Sequence, residues 1–412
     1  MTLDKSDSSK PAYNYCAMPL AVYACRPDMS RGRVIEEPES KNRTPFQRDR
    51  DRIIHTSAFR RLQYKTQVFV HVQGDHYRNR LSHTLEVAQI ARSLARALKV
   101  NEDLAEAVAL AHDLGHTPFA HMGEDILQEC MKDLGGFYHN DQSLRILTTI
   151  EKRYPAWDGL NLTWETLEGV AKHNGPVLKR GESPTRDNLP IALFELSQKM
   201  DMELDRYASI EAQVAAISDD IAYNNHDVED GLRARFFTLD EIGALGLFTE
   251  PLAKIRQKYP NISHPILVAE LIREMIGAMV EDVLATSFAN IERLNPQSPE
   301  DVSKAGEQIV GFSPAMNDKV NELRRFLMTR MYRHKSIEDI RTKVEKIIPD
   351  LFGAFLKGDG VLPPEWKKQI DSIPNVDTLA RARVVCDYVA GMTDRFAIDE
   401  YERMFHVDLD LK

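Results

Sequence analysis

Between residues 101 and 124 the chain passes from an ordinary amphipathic pattern into a stretch unusually dense in ligand chemistry. Asn101 suits a helix N-cap, Glu102 and Asp103 suit its first turn, and Leu104, Val108 and Ala111 trace an apolar stripe that His112 extends. Gly115 and Pro118 then break the helix, inside the run His112-Asp113-Leu114-Gly115-His116-Thr117-Pro118-Phe119-Ala120-His121-Met122-Gly123-Glu124. An imidazole and a carboxylate on adjacent residues in a last helical turn can both face one ion if they share a cavity. A single inward histidine is more often a satisfied core residue than a ligand, so the doublet needs company to mean anything.

Two further segments supply it. Asn79 to Lys99 reads as a long amphipathic helix in which His83 precedes Val87, Ile90 and Leu94 at helical spacing, so His83 points inward. Arg80 lies one turn away on a nearby face, where it either holds a phosphate or pairs with a surface carboxylate. From Pro190 to about Asp230 another helical pattern carries Asp219-Asp220, with Asp219, Tyr223 and Asp227 at i, i+4 and i+8 on one face. Composition alone does not separate Asp219 from Asp220. A set of two imidazoles and two carboxylates suits a divalent ion of the Mg, Mn, Fe or Co range better than a thiolate-loving one. Such an ion polarises a P–O bond and acidifies bound water, which points to hydrolysis at phosphorus. The chain has no GxxxxGK[ST] phosphate loop and no kinase signature, so phosphoryl transfer between nucleotides is disfavoured.

Four blocks, in order over about 175 residues, carry a resemblance to a known family: HTSAFRRLQYKTQVF at 55–69, NRLSHTLEVAQIA at 79–91, HDLGHTPFAHMGE at 112–124 with FYHNDQSLR at 137–145, and DDIAYNNHDVEDG at 219–231. The chain resembles the HD-domain superfamily of metal-dependent phosphohydrolases and, within it, the bacterial dGTP triphosphohydrolase (dGTPase-like) family. The resemblance fades in the C-terminal third. It implies an all-α fold, an HD-domain helical bundle with additional C-terminal helices. It implies metal ligation by His83, His112, Asp113 and Asp219, the family's spacing selecting Asp219 and leaving Asp220 a supporting role. His121 and Glu124 would be the couple that activates the attacking water, with His116 a phosphate contact or leaving-group helper. Gln67, Arg80, His139, Tyr223 and Asp227 would contact sugar, base or phosphates. The implied reaction splits a deoxynucleoside triphosphate into deoxynucleoside and inorganic triphosphate. The implied assembly is a homo-oligomer with an activating nucleotide at a subunit interface. An HD-type phosphodiesterase or nuclease and a catalytically silent nucleotide-sensing regulator are the alternatives.

With 412 residues, 43% of them hydrophobic, the chain can bury a sizeable core. A net charge of −10 argues against a generic nucleic-acid or anionic-membrane binder, so nucleic acid is allowed as a partner but not expected. Cys16, Cys25, Cys130 and Cys386 show no close pairing, the N-terminus lacks an export pattern, and no apolar run approaches bilayer length. A cytoplasmic protein is expected.

Three regions follow in order: an irregular, proline-bearing arm over 1–44, a phosphohydrolase core over 45–235 and a helical region over 236–412 that packs on it. Arg48, Arg50, Arg52, Arg60, Arg61 and Lys65 form a basic run that reads either as a solvated helix face or as cations for a polyanionic ligand; the resemblance favours the ligand. Residues 66 to 78 look extended or looping, and 152 to 190 look like an irregular insertion, either at the pocket mouth or at an oligomer contact. Residues 231 to 310 read mostly as helix and 317 to 344 as another helical run, with Arg273 able to reach toward phosphates.

Overall fold

The computed structural model describes residues 19–67, 77–358, 362–374 and 376–409. It is all-α. Among the described residues no strand forms, and only isolated bridges occur, such as Arg33 with Thr163 and Thr66 with Asn79. The helices that build and flank the site are α1 (Pro45–Ile54), α2 (Arg80–Leu98), α3 (Glu102–Ala111), α4 (Ala120–Met131), α5 (His139–Arg145) and α6 (Trp164–Ala171). They are followed by α7 (Ile210–Arg233), α8 (His264–Leu294), α9 (Pro314–Leu327), α10 (Lys335–Lys357), α11 (Thr378–Ala390) and α12 (Asp394–Phe405).

Local chemistry sets several of these boundaries. Thr44 closes a capping box with Gln47 at the start of α1, and Asn79, Asn101 and Ser209 each accept a backbone N–H as N-caps of α2, α3 and α7. Lys99 ends α2 in the left-handed conformation, and α3 ends at Ala111 with His112 as its C-cap.

Two apolar cores result. In the first, α2 packs along α3 and α7, and α3 also meets α1 and α7. Leu94, Leu104, Val108, Val214 and Ile221 fill it, with Met275 of α8 and Val320 of α9 closing one side. The second core joins the segment after the His-Asp doublet to the C-terminal region: Phe119, Leu127 and Met131 pack with Ile347 and Leu351 of α10, Val385 and Val389 of α11, and Tyr401 of α12. The described part of the N-terminal arm is tied down by polar contacts. The Cys25 N–H donates to Glu211 Oε1 at 2.8 Å, and Arg33 bonds Asp49 and the Asn161 and Pro45 carbonyls.

Four sequence expectations need correction. The stretch 152–190 is not wholly irregular, because Trp164, Leu167 and Val170 put α6 into the first core. Residues 231–310 are mostly helical, as expected, but the helical run expected over 317–344 is interrupted by a π turn at Met328–Tyr332. The basic run does not converge on a ligand. Arg48 and Arg52 pair with Glu37, Arg50 pairs with Asp103 and Glu106, and Lys65 is buried, so the fold's own carboxylates and carbonyls absorb most of this charge. Arg273 is exposed on α8 and pairs with Glu270. Most of the segment expected to be extended, 68–76, lies outside the described residues.

Gly115 fixes how α5 approaches the doublet. A Cβ there would lie 2.1 Å from the His139 carbonyl oxygen and 2.3 Å from the Ser143 nitrogen, backbone atoms that cannot swing away. Gly115→Ala is therefore expected to destabilise by about 1–3 kcal/mol, the usual cost of overpacking. Thermal unfolding of the variant checks this, and an unchanged Tm would show that the α5 contact is softer than its geometry implies.

Candidate active site

The turn after α3 brings His112 and Asp113 against α2 and α7, and three helices thereby deliver four side chains to one place. His83, His112 and Asp113 are all buried and offer ligand atoms within 4.8 Å of one another. Asp219 joins them: its Oδ1 lies 2.9 Å from His83 Nε2 and 3.6 Å from His112 Nε2. Asp220 faces elsewhere, paired with Arg324 at 2.6 Å.

Hydrogen-bond accounting shows what this cluster lacks. His112 Nδ1 is 2.6 Å from the Ala109 carbonyl, which can only accept, so Nδ1 carries the proton and Nε2 a lone pair. That buried Nε2 has no hydrogen-bond partner and faces Asp113 Oδ1 at 3.5 Å as well as Asp219. His83 is oriented in the same sense. Its Nδ1 lies 3.2 Å from His226 Nδ1, and His226 Nε2 contacts Glu86. With His226 donating to Glu86 and His83 donating to His226, the His83 Nε2 lone pair is left facing Asp219. Lone pairs and carboxylate oxygens converging without a proton between them fit a divalent cation, and the nitrogen and oxygen donors suit one of intermediate hardness.

Charge around the cluster is set by neighbours. Burial opposes ionisation of Asp113, yet Arg80, with His112 and His116, holds its carboxyl well below the usual range. Arg80 Nη1 lies 3.0 Å from both Asp113 oxygens, and its buried Nε and Nη2 have no partner. Burial likewise works against Asp219, but the imidazoles of His112, His173 and His83 around it keep its carboxyl low. His173 was not singled out in the sequence. Its Nε2 is 3.3 Å from Asp219 Oδ2 and its ring stacks on His112 with centroids 5.5 Å apart. Only the tertiary fold brings the residue after α6 to this position, whereas His226, seven residues beyond Asp219 on the same helix, was findable from helical spacing.

A second group adjoins the first through His116, whose Nε2 is 3.2 Å from Asp113 Oδ1. Burial and Arg80 push the His116 pKa well below its ordinary value, which keeps the ring neutral. His116 stacks on His139, centroids 4.0 Å apart, and lies edge-on to His121 at 5.2 Å. Glu124 serves two histidines rather than one: Oε2 is 3.3 Å from His121 Nδ1, and Oε1 is 2.7 Å from His139 Nδ1 and also accepts the His139 N–H at 2.9 Å. Burial opposes ionisation here too, but the bonds from His121 and His139 hold Glu124 far below the usual carboxylate range. His121 itself is exposed, with 60% of its side chain accessible.

The remaining residues flank these two groups. Tyr223 and Asp227 lie about one and two turns along α7 beyond Asp219, and both meet Tyr332: its hydroxyl is 2.8 Å from that of Tyr223 and donates to Asp227. Gln67 is buried with its Oε1 unpartnered. A cavity of about 250 Å³ behind the cluster is lined by His173, Asp219 and Asp220.

Residues 80–224 match the HD domain family, and residues 310–403 match the phosphohydrolase-associated domain. The chain is 51% identical to deoxyguanosinetriphosphate triphosphohydrolase-like protein 1 of Mesorhizobium japonicum, over 95% of this chain and 96% of that protein. It is also 51% identical to deoxyguanosinetriphosphate triphosphohydrolase-like proteins of Parvibaculum lavamentivorans, over 93% of this chain and 96% of the relative, and of Caulobacter sp. strain K31, over 98% and 99%. No helix among the described residues is long and apolar enough to cross a membrane. The chain is a hydrolase of the HD phosphohydrolase type and belongs to the deoxyguanosinetriphosphate triphosphohydrolase-like family.

Proposed function

We propose that the chain splits a deoxynucleoside triphosphate, dGTP-like in kind, into a deoxynucleoside and inorganic triphosphate, with water attacking the α-phosphate. The observation that carries this reading is the sharing of Asp113. Its Oδ1 faces His112 of the ligand set at 3.5 Å and His116 of the proton-handling set at 3.2 Å, so both kinds of chemistry meet at one carboxylate. His83, His112, Asp113 and Asp219 would hold a divalent ion of the Mg, Mn, Co or Fe class, which when bound polarises the phosphate and acidifies water.

The protein's own groups then do the rest. Glu124 orients His121, which handles the proton of the attacking water, while His139, on the same carboxylate, faces a phosphate. His116, kept neutral, supplies a hydrogen bond toward the leaving group. Arg80 holds Asp113 through Nη1 and has two nitrogens left for phosphate oxygens. Gln67, Tyr223 and Asp227 would receive the nucleoside, the tyrosine and the aspartate taking the sugar hydroxyl in place of Tyr332. A cytoplasmic homo-oligomer, activated by a nucleotide at a subunit interface, accords with this reading.

Four outcomes test it. Triphosphate released from a dNTP, without diphosphate or monophosphate, is the expected product; diphosphate or cleavage of a nucleic-acid end would instead indicate a phosphodiesterase or nuclease, and no turnover of any dNTP with manganese would indicate a silent regulator. His112→Ala and Asp113→Ala are expected to lose bound metal and activity together. His121→Ala should retain metal while kcat falls about 10²–10⁴-fold, the range for loss of a general acid or base; full activity would remove His121 from the mechanism. The fourth concerns Asp227. Burial, with Asp230 adding to it, outweighs the hydrogen bonds from Tyr332 and Tyr223 and pushes its carboxyl up to about 7. The folded state thus binds this proton more tightly than the unfolded chain, and stability is lost as pH rises through about 7. Asp227→Asn lacks that loss, so the Tm difference between variant and wild type should move in the variant's favour from pH 5 to pH 8. A pH-independent difference would place the carboxyl's titration elsewhere.

A further inference from the structure

The two halves of the site rest on different supports. The ligand set is carried by α2, the end of α3 and α7, all in the first core. His121 and Glu124 ride on α4, which packs against α10 and α11 in the second core. Something must hold α4 in register with Asp113. The backbone between them does not do so by its own preference: Phe119 and Ala120 are consecutive non-glycine residues in the left-handed region, at φ 64° and 56°. That conformation is uphill for L-residues and persists only when the surroundings impose it.

The surroundings that impose it come from the far end of the chain. Asp394, the first residue of α12, is 2% exposed although it is an ionisable group. Its Oδ1 accepts the Phe119 N–H at 2.9 Å, and its Oδ2 accepts the Thr66 N–H at 3.0 Å. One carboxylate therefore pins the left-handed corner that opens α4 and, with its other oxygen, the residue before Gln67. Lys65 adds a parallel strut. It too is 2% exposed, and its Nζ donates to the His116 carbonyl and, at 2.9 Å, to the Ala390 carbonyl. Phe119 itself is fully buried in the second core, which prevents the corner from relaxing outward. Gly123 completes the fit, because a Cβ there would lie 1.9 Å from the Pro118 carbonyl oxygen.

We propose that Asp394 is a positioning residue for the hydrolytic reaction: by holding the Phe119–Ala120 corner it aims His121 and Glu124 at the ligand cluster, and the C-terminal region thereby completes the site. This rests on the reading of His121 and Glu124 as the proton-handling pair. The metal ligands do not depend on Asp394, since none of them lies on the segment it holds. Loss of its Oδ1 acceptor lets Phe119 and Ala120 turn toward the right-handed region and rotates the start of α4, where His121 and Glu124 stand. The consequence falls on turnover and not on ion binding.

The test uses the full-length protein with Asp394→Ala and Asp394→Asn, the second keeping one acceptor oxygen but offering an NH₂ group where the other N–H needs one. Manganese affinity, kcat and KM for a dNTP, and backbone hydrogen exchange over residues 116–122 are measured on each. Asp394→Ala is expected to bind manganese within twofold of wild type, to lose at least tenfold in kcat with a smaller change in KM, and to exchange faster over 116–122 than over α2 or α7. Asp394→Asn should fall between it and wild type. Unchanged kcat in either soluble variant would overturn the proposal, as would loss of manganese binding and of protection over α2 and α7 in step with activity, which marks a merely structural role. Exchange reads the positioning whether or not the wild type turns over a dNTP. Unchanged protection over 116–122 in Asp394→Asn defeats the inference by itself, while an inactive wild type with the expected exchange pattern defeats only the assigned reaction.

Discussion

A negative charge buried at Asp113 is the constraint around which the site is arranged. Removing a carboxylate from water costs several kcal/mol unless cations or donors replace the solvent, and here Arg80 does so from the first turn of α2. Arg80 is itself almost fully buried, so neither residue can leave the other without stranding a charge. The pair therefore fixes α2 against the turn after α3, and the same geometry carries His83, three residues beyond Arg80, into the cluster.

Histidine orientation is secured from outside the cluster. The Ala109 carbonyl determines His112, and the Glu86–His226 pair determines His83. His173 braces the second oxygen of Asp219. On the neighbouring side Glu124 takes both His121 and His139, and His116, stacked on His139, reaches Asp113 with Nε2 and so joins this group to the first. Such outer contacts set which nitrogen is free, and free nitrogens are what an ion or a phosphate can use.

The two apolar cores divide this labour physically. The first holds the ligand-bearing helices rigidly in one bundle, and the second brings the C-terminal helices onto α4. Hydrogen bonds from buried Lys65 and to buried Asp394 cross between them at the point where the chain passes from the His112-Asp113 doublet to His121 and Glu124. The His-Asp cluster and the His121–Glu124 pair therefore rest on different supports.

The helices themselves were largely legible in the sequence, because α2, α3 and α7 are long, amphipathic and capped by Asn79, Asn101 and Ser209, and those signals are local. The crowding of histidines at 112–124 was likewise visible, since it lies within one short run. What local pattern could not show was the fate of the basic run at 48–65, whose partners Glu37, Asp103 and Glu106 come from other elements. Nor could it show α6 inside the apparent insertion, the arrival of His173 beside Asp219, or the sharing of Glu124 by two histidines. Local pattern along the chain was enough to say which segments would be helical and which residue types were available for ligation. Tertiary structure alone decided which lone pairs face each other, which charges are already neutralised, and that a carboxylate at residue 394 holds the backbone at residue 119, because those outcomes depend on contacts between residues far apart along the chain.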